Sequence, residues 1–334
     1  MAGCLLTDSL EQALNQIAPD MMLAVALSGG PDSSALAVFA RAWAQRHQRM
    51  LWLLHVHHGL QQQADAWASN VETLARLLDC KWDVRHVTVD LTSGHGLEGA
   101  ARQARYEALK SMAAEHGIGV ILLAHHQKDQ AETVLIRLLR GSGVTGLAAM
   151  TPVTERDGLY WVRPWLTVPR ELILDELSGF SERTGWLPVD DPSNIDSNTA
   201  RGTLRAKVIP AIQSHWPGWQ QTLARHAQQA AEADRLLRRY GQELLANIAL
   251  DAKPGVVPTL SLARWRDLEA DEQVLVLRTW LEKAGAQMPT ERRLAELLRQ
   301  LREVHALGHD RDLKWTQRDC LISCVRGQLH LTLK

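Results

Sequence analysis

Short apolar runs and longer amphipathic stretches alternate along the N-terminal half of the chain. Runs rich in Val, Leu and Ile are typical of strands buried in a sheet, whereas an apolar period of about 3.6 residues is typical of helices. The predicted strands are Leu23–Leu27, Leu51–His57, Trp82–Val89 and Val120–Ala124, and the predicted helices are Leu5–Ile17, Ser34–Arg46, Ala66–Leu78 and Leu97–His116. This order predicts an α/β fold, a parallel sheet with helices on both faces.

The alternation ends near Gly146, and prolines punctuate the stretch that follows. The pattern predicts one helix there, Arg170–Thr184, and then a polar loop, Gly185–Asn198. The rest of the chain is mostly helical: helices are predicted at Asp267–Ala284 and Thr290–Val304, and a small antiparallel sheet within Asp312–Leu333. We therefore expect two domains, an α/β domain over 1–214 and a mostly helical C-terminal domain over 215–334 that ends in the small sheet.

The composition is that of an ordinary globular protein. Its 334 residues are 46% hydrophobic and 22% charged, with a formal net charge of −1. No apolar run is long enough to span a bilayer and no basic segment precedes an apolar core at the N-terminus, so we expect a cytoplasmic protein that does not enter a membrane. The four cysteines form neither a disulfide framework nor a zinc-binding pattern. Because the net charge is near zero, any surface that binds nucleic acid must be local. The segment Arg201–Arg239 has seven Arg or Lys residues and two acidic ones, and within it the basic helix Arg225–Arg239 is the candidate for contact with a nucleic-acid backbone.

A glycine-rich turn, Ser28-Gly29-Gly30-Pro31-Asp32-Ser33, joins a predicted strand to a predicted helix. Such a turn brings backbone N–H groups and the positive end of a helix close to phosphate oxygens. It is not a Walker loop, because no Gly-Lys-[Ser/Thr] follows. A carboxylate in this position should repel phosphate unless a divalent cation lies between them. Asp32 therefore predicts a site for Mg²⁺.

A second polar segment, Leu123–Thr133, follows another predicted strand. Ligands bind at the carboxyl ends of parallel strands, so this segment, Ser28–Ser33 and His57-His58-Gly59 should meet at one edge of the sheet. Asp129 and Glu132 are three residues apart and should share one helix face. Either they complement the positive end of the helix, or they form a carboxylate pair that receives a cation. Their spacing alone leaves both interpretations open.

Several aromatic and histidine residues have simpler interpretations. Neighbouring strand residues point to opposite faces of a sheet, so His57 and His58 are not expected to share a metal ion with each other. Trp216 and Trp219 are of a type that more often packs inside a protein, with stacking on an unpaired base as the alternative.

Together these motifs resemble the PP-loop ATP pyrophosphatases and, within them, the tRNA(Ile)-lysidine synthetase family. The matching blocks, in order, are Ser28–Ser33, His55–Leu60, Ala100–Tyr106, Ala124–Thr133 with Arg140–Met150, Arg163–Leu166, and Asp191–Asp196 followed by Arg201, Arg205 and Pro210. Two positions depart from the family: Lys128 stands where an acidic residue is usual, and Gly202 where an asparagine is usual. Longer members have a further C-terminal domain, which we do not expect here.

The resemblance implies a tRNA-modifying ligase. Members adenylate carbon 2 of the wobble cytidine in the CAU anticodon of tRNA(Ile) with ATP, and then attach L-lysine, releasing AMP and pyrophosphate. By resemblance, Ser28–Ser33 would bind ATP with Asp32 on Mg²⁺, and Asp129 and Glu132 would receive the α-ammonium group of lysine. Arg205 would hold a carboxylate or phosphate, as would Arg201 less directly. The residues expected to contact tRNA are Arg201, Arg205, Arg235, Arg238 and Arg239.

Three alternatives stay open. A tRNA thiolase with the same loop would need reactive or cluster-binding cysteines, and none of the four cysteines is near the loop in sequence. A nucleotide-sensing module would bind ATP without releasing pyrophosphate. Asparagine and GMP synthetases share the loop but begin with a glutaminase cysteine, whereas Cys4 follows three other residues. The oligomeric state is also open, with a homodimer as one alternative.

Overall fold

The computed structural model describes residues 2–17, 20–57, 64–89, 96–189, 199–251, 256–304 and 313–334. The chain divides into two compact units, 1–231 and 232–334. The sequence-based boundary after residue 214 precedes this division, which falls inside the helix Trp219–Ile248.

The first unit is built on a six-stranded sheet. The described strands are β1 (Met22–Ala26), β2 (Leu51–His57), β3 (Lys81–His86), β4 (Ile118–Leu122), β5 (Val153–Arg156) and β6 (Leu159–Val162). Their order is β3-β2-β1-β4-β6-β5, and every neighbouring pair is parallel except β5 with β6. The predicted parallel sheet is confirmed. The hairpin β5–β6 was not predicted, because its strands have only four residues each and lie in the proline-rich stretch.

The first unit contains ten helices and one π-helical segment within its described residues, and the last of the helices continues into the second unit. They are α1 (Ala2–Leu14), α2 (Pro31–Arg46), α3 (Ala64–Leu77), α4 (Gly96–His116), α5 (Gln127–Leu139), α6 (Val144–Leu147), α7 (Arg170–Thr184), α8 (Ala200–Thr203), a π-helical segment (Leu204–Val208), α9 (Ile209–His215) and α10 (Trp219–Ile248). The predicted helix Arg170–Thr184 is confirmed at both ends as α7. The predictions for α1, α2, α3 and α4 are confirmed within a few residues. Within the described residues, no helix combines the length and apolar character that crossing a membrane would need.

Alternate residues of β1 enter hydrophobic cores on opposite faces of the sheet. Leu23 and Val25 belong to the same buried cluster as Leu36 of α2, whereas Ala24 belongs to a second cluster with Met112 of α4. This period of two is what a strand covered on both faces requires. Each fully buried leucine of this kind contributes about 1.5–3 kcal/mol through removal of apolar surface from water. The predicted helices on both faces are therefore confirmed.

The strand order brings the two polar motifs together. β2 and β4 lie on opposite sides of β1, so the connections after β1 and after β4 leave the sheet in opposite directions. Such a switch opens a crevice at the carboxyl ends of the two strands. Ser28–Ser33 follows β1, and the segment from His125 follows β4. His57 ends the neighbouring strand β2, whereas His58 and Gly59 lie outside the described residues.

The second unit contains the C-terminal part of α10 and a small antiparallel sheet packed with helices. Its other elements are β7 (Leu260–Ser261), α11 (Leu262–Arg266), α12 (Ala270–Lys283), α13 (Glu291–Glu303), β8 (Leu313–Thr316), β9 (Cys320–Val325) and β10 (Gln328–Leu333). The strands lie in the order β7-β10-β9-β8. Trp265, Trp280 and Trp315 are buried in its core. The predicted terminal sheet is confirmed, but the short elements β7 and α11 were not predicted.

Candidate active site

The loop after β1 is held in a strained turn by its own hydroxyl groups. Gly29 has φ +89°, and a Cβ atom there would lie 3.3 Å from Cγ2 of Val189 and 3.4 Å from Cγ2 of Val71. The Ser28 backbone N–H donates to Oγ of Ser33 at 3.1 Å, and Ser33 donates to the Gly30 carbonyl at 3.1 Å. A side chain at position 29 would therefore be opposed by both the backbone conformation and its neighbours.

The start of α2 is free of a side-chain cap. Gly30 is the N-cap residue and Pro31 the first helical residue, and within the described structure no side chain caps this end. The first-turn N–H groups of a helix lack partners inside the helix and carry its positive dipole end. This end of α2 can therefore accept an anion such as a phosphate group.

The Asp32 carboxylate is paired with Arg170 at the start of α7. Nε of Arg170 donates to Oδ1 of Asp32 at 2.9 Å, and Nη2 donates to Oδ2 at 3.1 Å. Two parallel bonds of this kind form the strong, fork-shaped arrangement of an arginine with a carboxylate. The hydrogen bond to Asp32 raises the pKa of Arg170 above its ordinary value. Arg170 was not among the residues predicted from the sequence.

His126 caps α5 and lies between two carboxylates. Its backbone N–H donates to Oδ2 of Asp129 at 3.2 Å, and the Asp129 N–H donates to Nδ1 of His126 at 3.4 Å, a reciprocal cap. Nε2 of His126 lies 3.4 Å from Oδ2 of Asp129 and 3.6 Å from Oδ1 of Asp32. Burial acts to raise the pKa of Asp129, but His126, through its charge and its backbone N–H, and Arg201 outweigh it and hold that pKa below its ordinary value. Asp129 is therefore an ionised carboxylate at neutral pH.

Glu132 is fully buried and is neutralised by arginine. Nε of Arg205 donates to Oε1 at 2.7 Å and Nη2 to Oε2 at 2.8 Å, and Nε of Arg201 lies 3.3 Å from Oε2. A buried carboxylate is costly unless it is paired in this way. Nη2 of Arg205 also lies 3.6 Å from Oδ1 of Asp129. The structure thus brings together all four residues that the resemblance assigned to lysine and its surroundings, namely Asp129, Glu132, Arg201 and Arg205.

Both arginines come from an irregular helical segment. Arg201 lies in α8 and Arg205 in the π-helical segment, whose wide turn is closed by a hydrogen bond from the Ile209 N–H to the Leu204 carbonyl. Pro210 follows and has no N–H to continue a regular ladder. Single π-helical turns are frequent at functional sites. Here the turn lies at the residue that pairs with Glu132.

Six charged groups in this cluster balance one another. The carboxylates of Asp32, Asp129 and Glu132 are matched by the guanidinium groups of Arg170, Arg201 and Arg205. Within the described residues, no group of three His, Cys, Asp or Glu side chains could hold a metal ion. Asp32 alone still fits Mg²⁺, which is commonly bound by one or two carboxylates together with substrate phosphates and water.

His125 is a half-buried residue next to His126, and its Nδ1 atom is buried. Burial lowers its pKa to about 3, so its imidazole is neutral at physiological pH. In the part of the chain that the structure describes, Nδ1 of His125 has no hydrogen-bond partner. Such a nitrogen can form a hydrogen bond with a bound molecule. The sequence motif contained His125, but no role was assigned to it.

The remaining predicted residues lie elsewhere. Arg235, Arg238 and Arg239 are on α10 in the second unit, where Arg238 donates to Asp234 at 2.7 Å and also pairs with Glu282. Arg235 and Arg239 are exposed. Trp219 is buried as expected, whereas Trp216 is 66% exposed. The motif Asp191–Asp196 lies outside the described residues.

Two parts of the chain match models of known protein families. Residues 6–212 match the family model of a PP-loop domain, and residues 260–330 match that of the TilS substrate binding domain. The chain is 49% identical over 307 residues to the tRNA(Ile)-lysidine synthase of Bordetella pertussis, covering 92% of this chain and 94% of that protein. It is 41% identical over 288 residues to the tRNA(Ile)-lysidine synthase of Ralstonia nicotianae, covering 86% of this chain and 60% of that protein.

Among solved structures, the chain is similar to the U34-tRNA thiolase NcsA from Methanococcus maripaludis, a structure with its [4Fe-4S] cluster. The TM-score is 0.53 at 14% identity, over 69% of this chain and 80% of that one. At this identity the likeness shows that the two share a fold.

Proposed function

The chain belongs to the tRNA(Ile)-lysidine synthase family, and on that premise we propose that it joins L-lysine to carbon 2 of the wobble cytidine in the CAU anticodon of tRNA(Ile). ATP is the activating substrate, and AMP and pyrophosphate are released. The observation that carries the proposal is the meeting of the loop Ser28–Ser33 with the acidic start of α5, through the contact of Asp32 with His126.

The first step takes place at the loop. The N–H groups at the start of α2 bind the phosphates of ATP. Asp32 would hold Mg²⁺, which would supply positive charge to neutralise the phosphates. The base oxygen of the cytidine attacks the α-phosphate, and pyrophosphate leaves. No side chain acts as a nucleophile, so the protein contributes positioning and charge stabilisation.

The second step takes place at the start of α5. Both oxygens of Glu132 already accept from Arg205, whereas Asp129 makes only a longer contact with that arginine. We therefore assign the α-ammonium of lysine chiefly to Asp129, and give Glu132 the task of aiming Arg205 at the lysine carboxylate. The ε-amine of lysine then attacks the adenylated carbon 2, and AMP departs.

We propose that residues of both units contact the tRNA. A base in a single-stranded anticodon loop can leave its stack and enter a pocket at modest cost. The match of residues 260–330 to a substrate binding domain supports a role for the second unit in this contact. Arg235, Arg238 and Arg239 are the proposed contacts to the tRNA backbone. Arg201 and Arg205, which are held by Glu132, would contact it only at the site itself.

The thiolase alternative has less support. Of the four free cysteines, Cys80, Cys320 and Cys324 are buried and Cys4 lies exposed on α1. The relatives that match most of the chain are named for lysine attachment. Free thiols also agree with our proposal of a cytoplasmic location.

The test is incubation of the protein with ATP, Mg²⁺, radiolabelled lysine and a transcript of tRNA(Ile) bearing CAU. A methionine elongator tRNA with the same anticodon is the control. We expect label in the isoleucine tRNA alone. Binding of ATP without any label in RNA would contradict the proposal and favour a thiolase or a nucleotide sensor.

A further inference from the structure

Arg170 occupies a position that helix electrostatics disfavour. It is the first residue of α7, directly after the N-cap residue Pro169. A positive charge in the first turn of a helix opposes the macrodipole, whereas an acidic residue there would be favourable. Something outside the helix must therefore offset this placement. The two hydrogen bonds to Asp32, at 2.9 and 3.1 Å, provide that offset.

This pairing places a guanidinium group at the edge of the phosphate-binding loop. Asp32 is the second residue of α2, next to the N–H groups that we assign to the triphosphate. The side chain of Arg170 is about one-third exposed, so it is not locked into the core. Arginine matches phosphate oxygens with the same two-point geometry that it uses for a carboxylate.

Asp32 does not depend on Arg170 alone. Nε2 of His126 lies 3.6 Å from its Oδ1, close enough to become a hydrogen-bond donor after a small movement. A cation on the carboxylate would also replace the charge of the guanidinium. Asp32 can therefore release Arg170 without becoming an unpaired charge, which would otherwise be strongly unfavourable.

We propose that Arg170 is a phosphate-binding residue of this site: Asp32 holds it beside the loop in the nucleotide-free protein, and it exchanges that carboxylate for the β- and γ-phosphates when ATP binds. The proposal rests on the proposed binding of ATP at Ser28–Ser33. The exchange of partners by Arg170 would also assist the first step of the reaction. A guanidinium on these phosphates stabilises the charge of the departing pyrophosphate.

The test is calorimetric titration of ATP with Mg²⁺, and separately of AMP, into the full chain and its variants. Arg170→Ala should weaken ATP binding about tenfold or more, the usual worth of a hydrogen bond to a charged group. AMP binding should change less than about twofold, because AMP lacks the two outer phosphates. Arg183→Ala removes an exposed arginine from the same helix and should leave both affinities unchanged.

A second pair of variants separates phosphate binding from a purely structural role. Asp32→Asn and the double variant Asp32→Asn/Arg170→Ala leave no unpaired carboxylate, so both should fold. If Arg170 binds phosphate, the double variant loses a further tenfold or so in ATP affinity relative to Asp32→Asn. Equal ATP affinity of these two variants would mean that Arg170 only neutralises Asp32, and the inference would be overturned. Equal losses of ATP and AMP affinity would overturn it as well.

Results that refute ATP binding at the loop would differ from results that refute only the role of Arg170. If the unaltered protein does not bind ATP, or if Gly29→Ala leaves ATP affinity unchanged, the loop assignment fails and the inference fails with it. If ATP binds and Gly29→Ala weakens it, while Arg170→Ala has no effect, only the role of Arg170 is wrong.

Discussion

Charged side chains are paired differently at the α5 site of the first unit and on α10 in the second unit. At the α5 site, Glu132 is fully buried and is paired with Arg205, which is 73 residues away in sequence. On α10, Arg238 pairs with Asp234 four residues earlier and with Glu282, and its side chain is 41% exposed. The first pair is buried and exists only when the whole unit has folded. Arg238 instead pairs at the surface, with one residue of its own helix and with Glu282 of α12.

This difference separates two uses of arginine. A buried, distant ion pair is weak as a source of stability, because desolvation offsets much of the attraction, but breaking it leaves a costly unpaired charge. An exposed local pair costs little to form or to break. The first use suits a site that must hold its geometry, and the second suits a surface that meets a flexible polyanion.

The largest effect should come from breaking the buried pair. Glu132→Ala leaves Arg201 and Arg205 without their shared carboxylate and should lower the free energy of unfolding by about 3–5 kcal/mol. Glu282→Ala, which breaks the pair with Arg238 in which both side chains are exposed, should cost less than about 1 kcal/mol. Urea unfolding of both variants makes the comparison. Similar losses of unfolding free energy in the two variants would contradict the distinction between the buried pair and the exposed pair.

A smaller effect is expected from adding one methyl group to a turn in each unit. Gly29 and Gly285 have φ +89° and +73°, but a Cβ atom meets two valines at Gly29 and nothing within 4 Å at Gly285. Gly285→Ala should therefore cost only the backbone strain, about 1 kcal/mol. Gly29→Ala should cost more, up to about 3 kcal/mol, and should also weaken ATP binding. Thermal unfolding and nucleotide titration check both. Normal ATP affinity in Gly29→Ala would contradict the proposed loop.

Helix caps allow a finer comparison. His126 caps α5 and Thr290 caps α13, and removing either cap with Ala should cost about 1 kcal/mol of stability. His126→Asn keeps a good cap but loses the contact of Nε2 with Asp32. This variant should retain stability while lowering the rate of lysine attachment. Thr290→Ala should lower stability and leave the rate of lysine attachment unchanged. Full activity in His126→Asn would show that His126 only caps the helix.

The smallest effects concern the exposed arginines. Arg235→Ala and Arg239→Ala should each reduce the slope of tRNA affinity against salt concentration by about 0.7–0.9 for each phosphate that the arginine neutralises. Arg238→Ala should reduce it less, because that guanidinium is already paired with Asp234 and Glu282. Filter binding over a range of salt concentrations measures these slopes. An unchanged slope in all three variants would exclude this helix surface from the tRNA interface.

Much of the fold could be predicted because burial imposes a simple period on the sequence. β1 to β4 and their helices carry clear apolar patterns, and the start of α7 at Arg170 was predicted from the same signal. The strands β5 and β6 were not, because four residues in a proline-rich stretch carry too little pattern. The structure shows Asp129 in the cap of α5 and near Arg205, and its role as one of two carboxylates that receive a substrate cation stays a prediction.

The sequence did not predict which distant residues pair with one another in the site. Asp32 was predicted to need a positive partner, and a metal ion was the partner that the sequence suggested. In the structure the partner is Arg170, 138 residues away in sequence. Only the packing of α7 beside the loop brings these two residues together. One local signal existed, an arginine after Pro169 at the disfavoured end of a predicted helix.

We propose that two parts of the site have separate tasks: the loop at Asp32 activates the tRNA with ATP, and the acidic start of α5 receives lysine. The most direct test measures two rates in Asp129→Ala: ATP–pyrophosphate exchange in the presence of tRNA(Ile), and transfer of labelled lysine to that tRNA. We predict that exchange persists and that lysine transfer is strongly reduced, with a raised KM for lysine. Equal loss of both rates would contradict the division of the site into two parts.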